Sequence, residues 1–405
     1  MKENRSLKEV AMNLLNLSSI NVLNLIVMLV TMPYLSRVLG AENCGYYFIF
    51  VSASLFATII TDYSTQITGV RQIAQNVDSA RLQNIYANHQ TVRAVFGVLA
   101  CLLFSTYTVL TIPKISILLI VTYYVITLVG HYLTATWYHQ GMSRLTCLAI
   151  STMITRAAQL AALVMLVKQP EDMLLAVFVN AFSYLITGIC ALWYRTTRLS
   201  INEKIAPKNL IRCLKQGWSS FVGDFAPNLY SNIPLLVIGS LVSPAVFASY
   251  SMAMRLVSIA GAIQLMMSKA AYPILAKGNG KFSHLMQLNI GMSLIPILLI
   301  FLWGEDTVML FLGNGYTDVI EYLKHLSIGI LLNGILTAYA YGYFLPNHHD
   351  RAFRNISIFV SVISAIIGYA LIYAYSVKGA IAMFVFARML FVICYIVIHR
   401  RLTRS

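Results

Sequence analysis

Long apolar runs broken by short polar connections set the pattern of this chain. A membrane-spanning helix needs about 20 apolar residues. By that measure the first half holds runs near 11–32, 44–68, 91–111, 116–138, 146–167 and 173–194. The second half holds runs near 216–241, 246–267, 285–303, 319–345, 356–376 and 380–398. The runs are continuous rather than alternating, so they read as helices and not as strands of a membrane barrel. The pattern predicts an all-α polytopic membrane protein of about twelve transmembrane helices. The run 319–345 is polar at its start and is expected to begin with an interfacial turn.

Composition supports this reading. The 405 residues are 59% hydrophobic and 11% charged, against roughly 25% charged in soluble domains. So few charges cannot solvate a globular surface, and the lipid bilayer must cover most of it. The net charge of +15 is scattered between apolar runs, which fits cytoplasmic loops and argues against nucleic acid as a partner. With the N-terminus inside, the inside segments hold Lys2, Arg5, Lys8, Arg71, Arg81, Arg93, Arg144, Arg195, Arg198, Lys204, Lys208, Arg212, Lys215, Lys269, Lys277, Lys281, Arg351, Arg354, Arg400, Arg401 and Arg404. The outside segments hold only Arg37, Lys114, Lys168 and Lys378. The bias predicts both termini in the cytoplasm. The first apolar run is long and no small-x-small cleavage site follows it, so it reads as a retained span. The six cysteines form no CxxC pair and read as small apolar side chains, not as disulfides or metal ligands.

The most basic connection, 195–215, falls at mid-chain. It suggests an N-terminal six-helix bundle over 1–198, a linker over 199–215 and a C-terminal six-helix bundle over 216–405. Pro33-Tyr34-Leu35 and Gly45-Tyr46-Tyr47 are echoed by Pro234-Leu235-Leu236 and Ala248-Ser249-Tyr250. Such an echo is what an internally duplicated transporter with pseudo-twofold symmetry shows.

Three arginines sit near the centres of predicted spans: Arg156, Arg255 and Arg388. Each costs about 2.5–3.5 kcal/mol at a helix centre on insertion scales, and arginine cannot escape by losing its proton. They imply water, a counter-charge or a ligand. Asp62 and Asp224 also lie inside predicted spans; they could neutralise two arginines, or couple transport to an ion gradient. Even so the balance inside the membrane stays positive, which suits a cation-lined cavity and an anionic substrate such as a phosphate or an acidic sugar. Lys324 is a weaker candidate of the same kind, since its place near a span end also allows snorkelling. The first span carries Asn13, Asn16, Asn21 and Asn24 within one sector, a polar stripe suited to lining a cavity or to bonding between helices. The seventh repeats the theme with Ser220, Asp224, Asn228, Ser231 and Asn232, and adds Pro227 and Pro234, which permit bending. Gln159, Asn180, Gln264 and Asn333 read as ordinary interhelical hydrogen-bonding groups.

No dinucleotide, phosphate-loop, zinc-protease or nucleophile-elbow motif appears. No loop has room for a catalytic domain. A transporter is therefore expected rather than an enzyme, with no cofactor and no metal.

Residues Thr31 to Gly40 (TMPYLSRVLG) followed by Gly45-Tyr46, and Asp62-Tyr63-Ser64 followed by Thr68 to Ala74 (TGVRQIA), resemble signatures of the Wzx-type O-antigen flippases. These are polysaccharide exporters within the multidrug/oligosaccharidyl-lipid/polysaccharide superfamily. Ser64 and Cys44 stand where such proteins more often carry glycine and an aromatic residue. The resemblance implies two six-helix bundles around a central cavity. It implies passage of an undecaprenyl-diphosphate-linked oligosaccharide from the cytoplasmic to the periplasmic leaflet of the bacterial inner membrane. It also implies work alongside other O-antigen assembly proteins, such as a polymerase and a chain-length regulator. The alternatives are a drug antiporter, which would want acids where bases dominate, a lipid II flippase, a membrane polysaccharide polymerase, and a membrane scaffold.

Overall fold

The computed structural model describes residues 2–403 except 77, 203, 277–279 and 314, with side chains described from residue 22 onward apart from 273 and 274. Among the described residues there are helices and no strands. They are α1 (Lys2–Asp62), α2 (Val70–Ala74), α3 (Ser79–Thr111), α4 (Ile117–Thr134), α5 (Thr136–Gly141), α6 (Thr146–Leu166) and α7 (Met173–Arg198). Then come α8 (Leu210–Phe225), α9 (Asn228–Ser231), α10 (Ile233–Leu241), α11 (Pro244–Ala276), α12 (Phe282–Leu312), α13 (Asp318–Tyr339) and α14 (Asp350–Leu402). Single π-turns follow α1 at Thr65–Gly69 and α13 at Ala340–Phe344.

Nine helical stretches of the described chain are long and apolar enough to cross a membrane. Two of them are bent rods. α1 runs for 61 residues with a kink at Gly40, whose φ of 71° suits a residue without Cβ. α14 runs for 53 residues with a kink at Ser376 (φ 50°, ψ −123°). Counting both arms of each, and the segmented stretch α8–α10, gives the twelve helices that the hydropathy pattern predicts. The break within α8–α10 falls at Pro227 and Pro234, which leave backbone acceptors unmatched and end one rod before the next begins. Residue 318 onward is helical, with turn residues at 315 and 317 just before it. Its irregularity is the π-turn at the other end.

The chain falls into two compact units. The first is Met1–Leu39 with Ile49–Asp224; the second is Gly40–Phe48 with Phe225–Ser405.

In the first unit, α4 and α7 pack backbone to backbone. A Cβ on Gly130 would overlap the carbonyl of Tyr184, and one on Gly188 would overlap the carbonyl of Gly130. Tyr34, from the proline–tyrosine motif, donates its hydroxyl to the carbonyls of Val164 and Val167 where α6 ends. Tyr63, at φ 48°, stacks between Phe96 and Phe221 at 4.8 and 4.6 Å and donates to the Leu214 carbonyl at 2.9 Å.

The end of α4 corrects the charge reading. Ala135 turns left-handed (φ 41°) and stops the helix inside a membrane span. A helix end leaves four carbonyls without intrahelical partners, and lipid offers none. Two fully buried arginines take these carbonyls. Arg93 donates to His131 O at 2.9 Å and Tyr132 O at 2.8 Å. Arg195 donates to Leu133 O at 2.7 Å and Thr134 O at 3.2 Å. Both had been counted with cytoplasmic connections; they are interior structural groups. α3 begins at Ser79, a dozen residues before its apolar run, so Arg93 lies well inside the helix. The negative end of the α4 dipole makes two buried cations tolerable there.

In the second unit, α11, α12 and α13 share a buried amide and hydroxyl network. Gln264 donates to Ser293 Oγ at 2.9 Å and Ile330 O at 3.0 Å. Asn333 donates to Gln264 Oε1 at 2.7 Å, and Asn289 donates to Ser268 Oγ at 3.1 Å. Gln264 and Asn333 are among the residues expected to bond between helices; Ser268, Asn289 and Ser293 join them without having been singled out.

Candidate functional site

The acids come first, because they decide which arginines are already neutralised. Asp62, at the end of α1, accepts from Arg93 Nε at 3.0 Å and from Gln66 Nε2 at 3.0 Å. His131 Nε2 stands 2.9 Å from the same oxygen, Oδ1. The remaining Arg93 nitrogen bonds go to Gln90 Oε1 and the α4 carbonyls. Asp62 therefore matches an arginine that the sequence pattern did not single out. Asp224 is exposed at the end of α8.

Arg156 lies midway along α6, half-buried. Its Nη1 donates to Gln159 Oε1 at 2.6 Å and Ser183 Oγ at 3.4 Å, and its guanidinium sits 4.8 Å from the Tyr184 ring centre. Gln159 in turn donates to Asn180 Oδ1 at 3.1 Å, and Thr155 bonds Thr187 at 2.7 Å. The α6–α7 face is thus a polar layer with a cation at its edge and neutral partners throughout.

Arg255, on α11, is half-buried with its guanidinium 4.6 Å from the Phe48 ring centre. Such a ring face stabilises a cation by about 0.5–2 kcal/mol, depending on how dry it is.

Arg388 is in the middle of the second arm of α14. Its guanidinium stacks on Phe384 at 3.4 Å, and its Nε and Nη1 are buried with no acceptor. It lines a cavity of about 430 Å³ with Ser258, Gly261, Ala262, Asn333 and Thr337. Every described carboxylate of the second unit (Glu42, Glu305, Asp306, Asp318, Glu321 and Asp350) is exposed. None pairs with Arg388. Two buried guanidinium nitrogens without acceptors leave Arg388 able to donate to an anion.

The other candidates fall elsewhere. Lys324 is on the surface, 3.5 Å from Glu305. Asn24 is exposed on α1. Asn228 opens α9 and accepts from Asn232 at 2.6 Å. The side chains of Asn13, Asn16 and Asn21 lie outside the described residues. The sequence reading missed Ser258 and Thr337 as cavity walls. The spacing of Asn333 and Thr337, four apart on one helix face, was the available signal. Among the described residues no cluster of side chains could hold a metal ion.

Comparison with known proteins agrees with this architecture. Residues 10–279 match the family described as polysaccharide biosynthesis protein. The chain is 23% identical over 389 residues to a putative O-antigen transporter of Shigella dysenteriae, covering 94% of this chain and 98% of that one. It is 23% identical over 391 residues to a putative O-antigen transporter of Escherichia coli (strain K12), covering 91% of each. Among solved structures, the lipid II flippase MurJ in its inward closed conformation superposes with a TM-score of 0.72 at 11% identity. That match covers 94% of this chain and 87% of that one. The eukaryotic MATE transporter AtDTX14 superposes at 0.55 with 16% identity, covering 98% and 95%. These two likenesses concern the fold.

Proposed function

The chain belongs to the polysaccharide biosynthesis protein family, and from that premise we propose that it is an O-antigen flippase. It moves undecaprenyl-diphosphate-linked oligosaccharide units from the cytoplasmic to the periplasmic leaflet of the inner membrane by alternating access. Its termini lie in the cytoplasm, and it works beside a polymerase and a chain-length regulator. It is a transporter, not an enzyme.

The observation that carries the reading is the set of guanidinium groups in mid-helix. Arg156 is held by neutral partners only, and Arg388 by a ring face, with its Nε and Nη1 lacking acceptors. A diphosphate or an acidic sugar cannot cross hydrocarbon bare, because stripping its water costs far more than any apolar contact returns. Cationic groups at that depth lower the barrier by replacing lost hydration. The same groups repel the organic cations that a drug antiporter would carry. Asp62 is engaged with Arg93; a coupling ion, where one is used, binds in competition with that pair.

Deleting the gene tests the reading. Surface O-antigen is expected to vanish while undecaprenyl-diphosphate-linked units accumulate on the cytoplasmic face. Surface polysaccharide at the parental level would refute it.

A further inference from the structure

We propose that the cavity beside Arg388 is a subsite for an acidic sugar, so that the glycan moved by this chain carries a carboxylate. The inference rests on the flippase reading and narrows its substrate.

Four observations point this way. The cavity is built by the middle of α11, the last turns of α13 and the middle of the second arm of α14, all within the second unit. Its volume, about 430 Å³, lies toward the small end of ligand pockets. It admits a sugar residue, not a whole lipid-linked oligosaccharide. Arg388 offers buried N–H groups that nothing accepts, which calls for an anion.

The fourth observation separates a sugar acid from a bare phosphate. The two hydroxyls of the other wall have spent their donors, and the Asn333 amide has spent one of its two. Ser258 donates to Met254 O at 2.7 Å, Thr337 to Asn333 O at 2.9 Å, and Asn333 to Gln264 Oε1. What they present to the cavity is mostly acceptor: hydroxyl lone pairs and the Asn333 amide oxygen. An anion without hydroxyl groups would satisfy Arg388 and face those acceptors with its own oxygens. A sugar acid sets its carboxylate on Arg388 and donates its ring hydroxyls to Ser258, Asn333 and Thr337. Both sides of the cavity are then matched.

The test is calorimetric titration of the full chain in lipid nanodiscs with sodium glucuronate, glucose and sodium pyrophosphate. Glucuronate is expected to bind at least about tenfold more tightly than either of the others, a difference of about 1.4 kcal/mol or more. Arg388→Gln is expected to remove that preference. Gly261→Leu, whose side chain would grow toward Asn333, is expected to block the sugar while leaving Arg388 in place. The folding control has a definite sign. Arg388 has only the Phe384 ring face to lose, and its removal relieves two buried donors without acceptors, so Arg388→Gln is expected to melt at or above the parental temperature. Pyrophosphate binding as tightly as glucuronate would assign the site to the carrier's diphosphate and overturn the inference. So would equal binding of glucuronate and glucose, or an unchanged Arg388→Gln variant. A flippase of neutral glycans would keep the gene-deletion phenotype and lose only the glucuronate preference, which separates failure here from failure of the function itself.

Discussion

Replacing Arg93 with alanine is expected to cost about 3–5 kcal/mol of stability, the range found when one partner of a buried ion pair is removed. Arg93 is 1% exposed and spends its guanidinium on Asp62, Gln90 and the carbonyls of His131 and Tyr132. Alanine strips all of them at once. Asp62 keeps Gln66 and the His131 ring but loses its strong cation. The end of α4 loses two acceptors' partners where lipid supplies no replacement. The midpoint of thermal unfolding in nanodiscs reads the effect. The double variant Arg93→Met with Asp62→Leu is expected to recover much of the loss, because no buried charge is then left alone. A parental midpoint for Arg93→Ala would mean that the α4 end is hydrated. The contrast with Arg388 is informative: two buried arginines, one woven into a helix end and one facing a cavity, are expected to respond to removal with opposite signs.

Gly130→Val is expected to be as damaging, through sterics alone. The α4–α7 contact is one backbone against another, with the Gly130 and Gly188 faces turned to each other. A Cβ there meets the Tyr184 carbonyl group and the Leu185 nitrogen, and no rotamer change moves a backbone aside. Overpacking a relaxed core costs about 1–3 kcal/mol; here the helices must separate, so about 3 kcal/mol or more is expected. The folded, monodisperse fraction on size exclusion should collapse. Gly291→Ala, where an added Cβ meets nothing, should keep it. Parental recovery of Gly130→Val would show that α4 and α7 are not in this close contact.

Much of the fold is legible in hydropathy because lipid imposes a simple demand: each crossing must be apolar and must satisfy its own backbone. What hydropathy does not carry is how one rod joins the next. At Gly40 and Ser376 one rod passes to the next through a single non-helical residue, since one residue with positive φ turns the chain without polar punctuation. Nor does it carry long-range pairing. Arg93 and Asp62 are 31 residues apart, and Arg195 and the α4 carbonyls more than 60. From sequence, Arg93 and Arg195 look like loop charges at the margins of apolar runs, and only packing shows them closing a helix end. The motifs behind the family resemblance have structural work to do. Tyr34 caps α6, Asp62 holds Arg93, and Tyr63 wedges between two phenylalanines. Arg156, Arg255 and Arg388 were visible as costly exceptions within apolar runs. The cavity beside Arg388 was not, because its walls come from three helices spread over more than 120 residues.

The central claim is that guanidinium groups at bilayer depth carry the anionic substrate. Reconstituting the protein in liposomes with Arg156→Ala, Arg255→Ala or Arg388→Ala, and following the transfer of undecaprenyl-diphosphate-linked oligosaccharide between leaflets, tests it most directly. Each variant is expected to slow transfer by about tenfold or more, the kinetic equivalent of about 1.4 kcal/mol of lost stabilisation at the barrier. Parental rates in all three would contradict it.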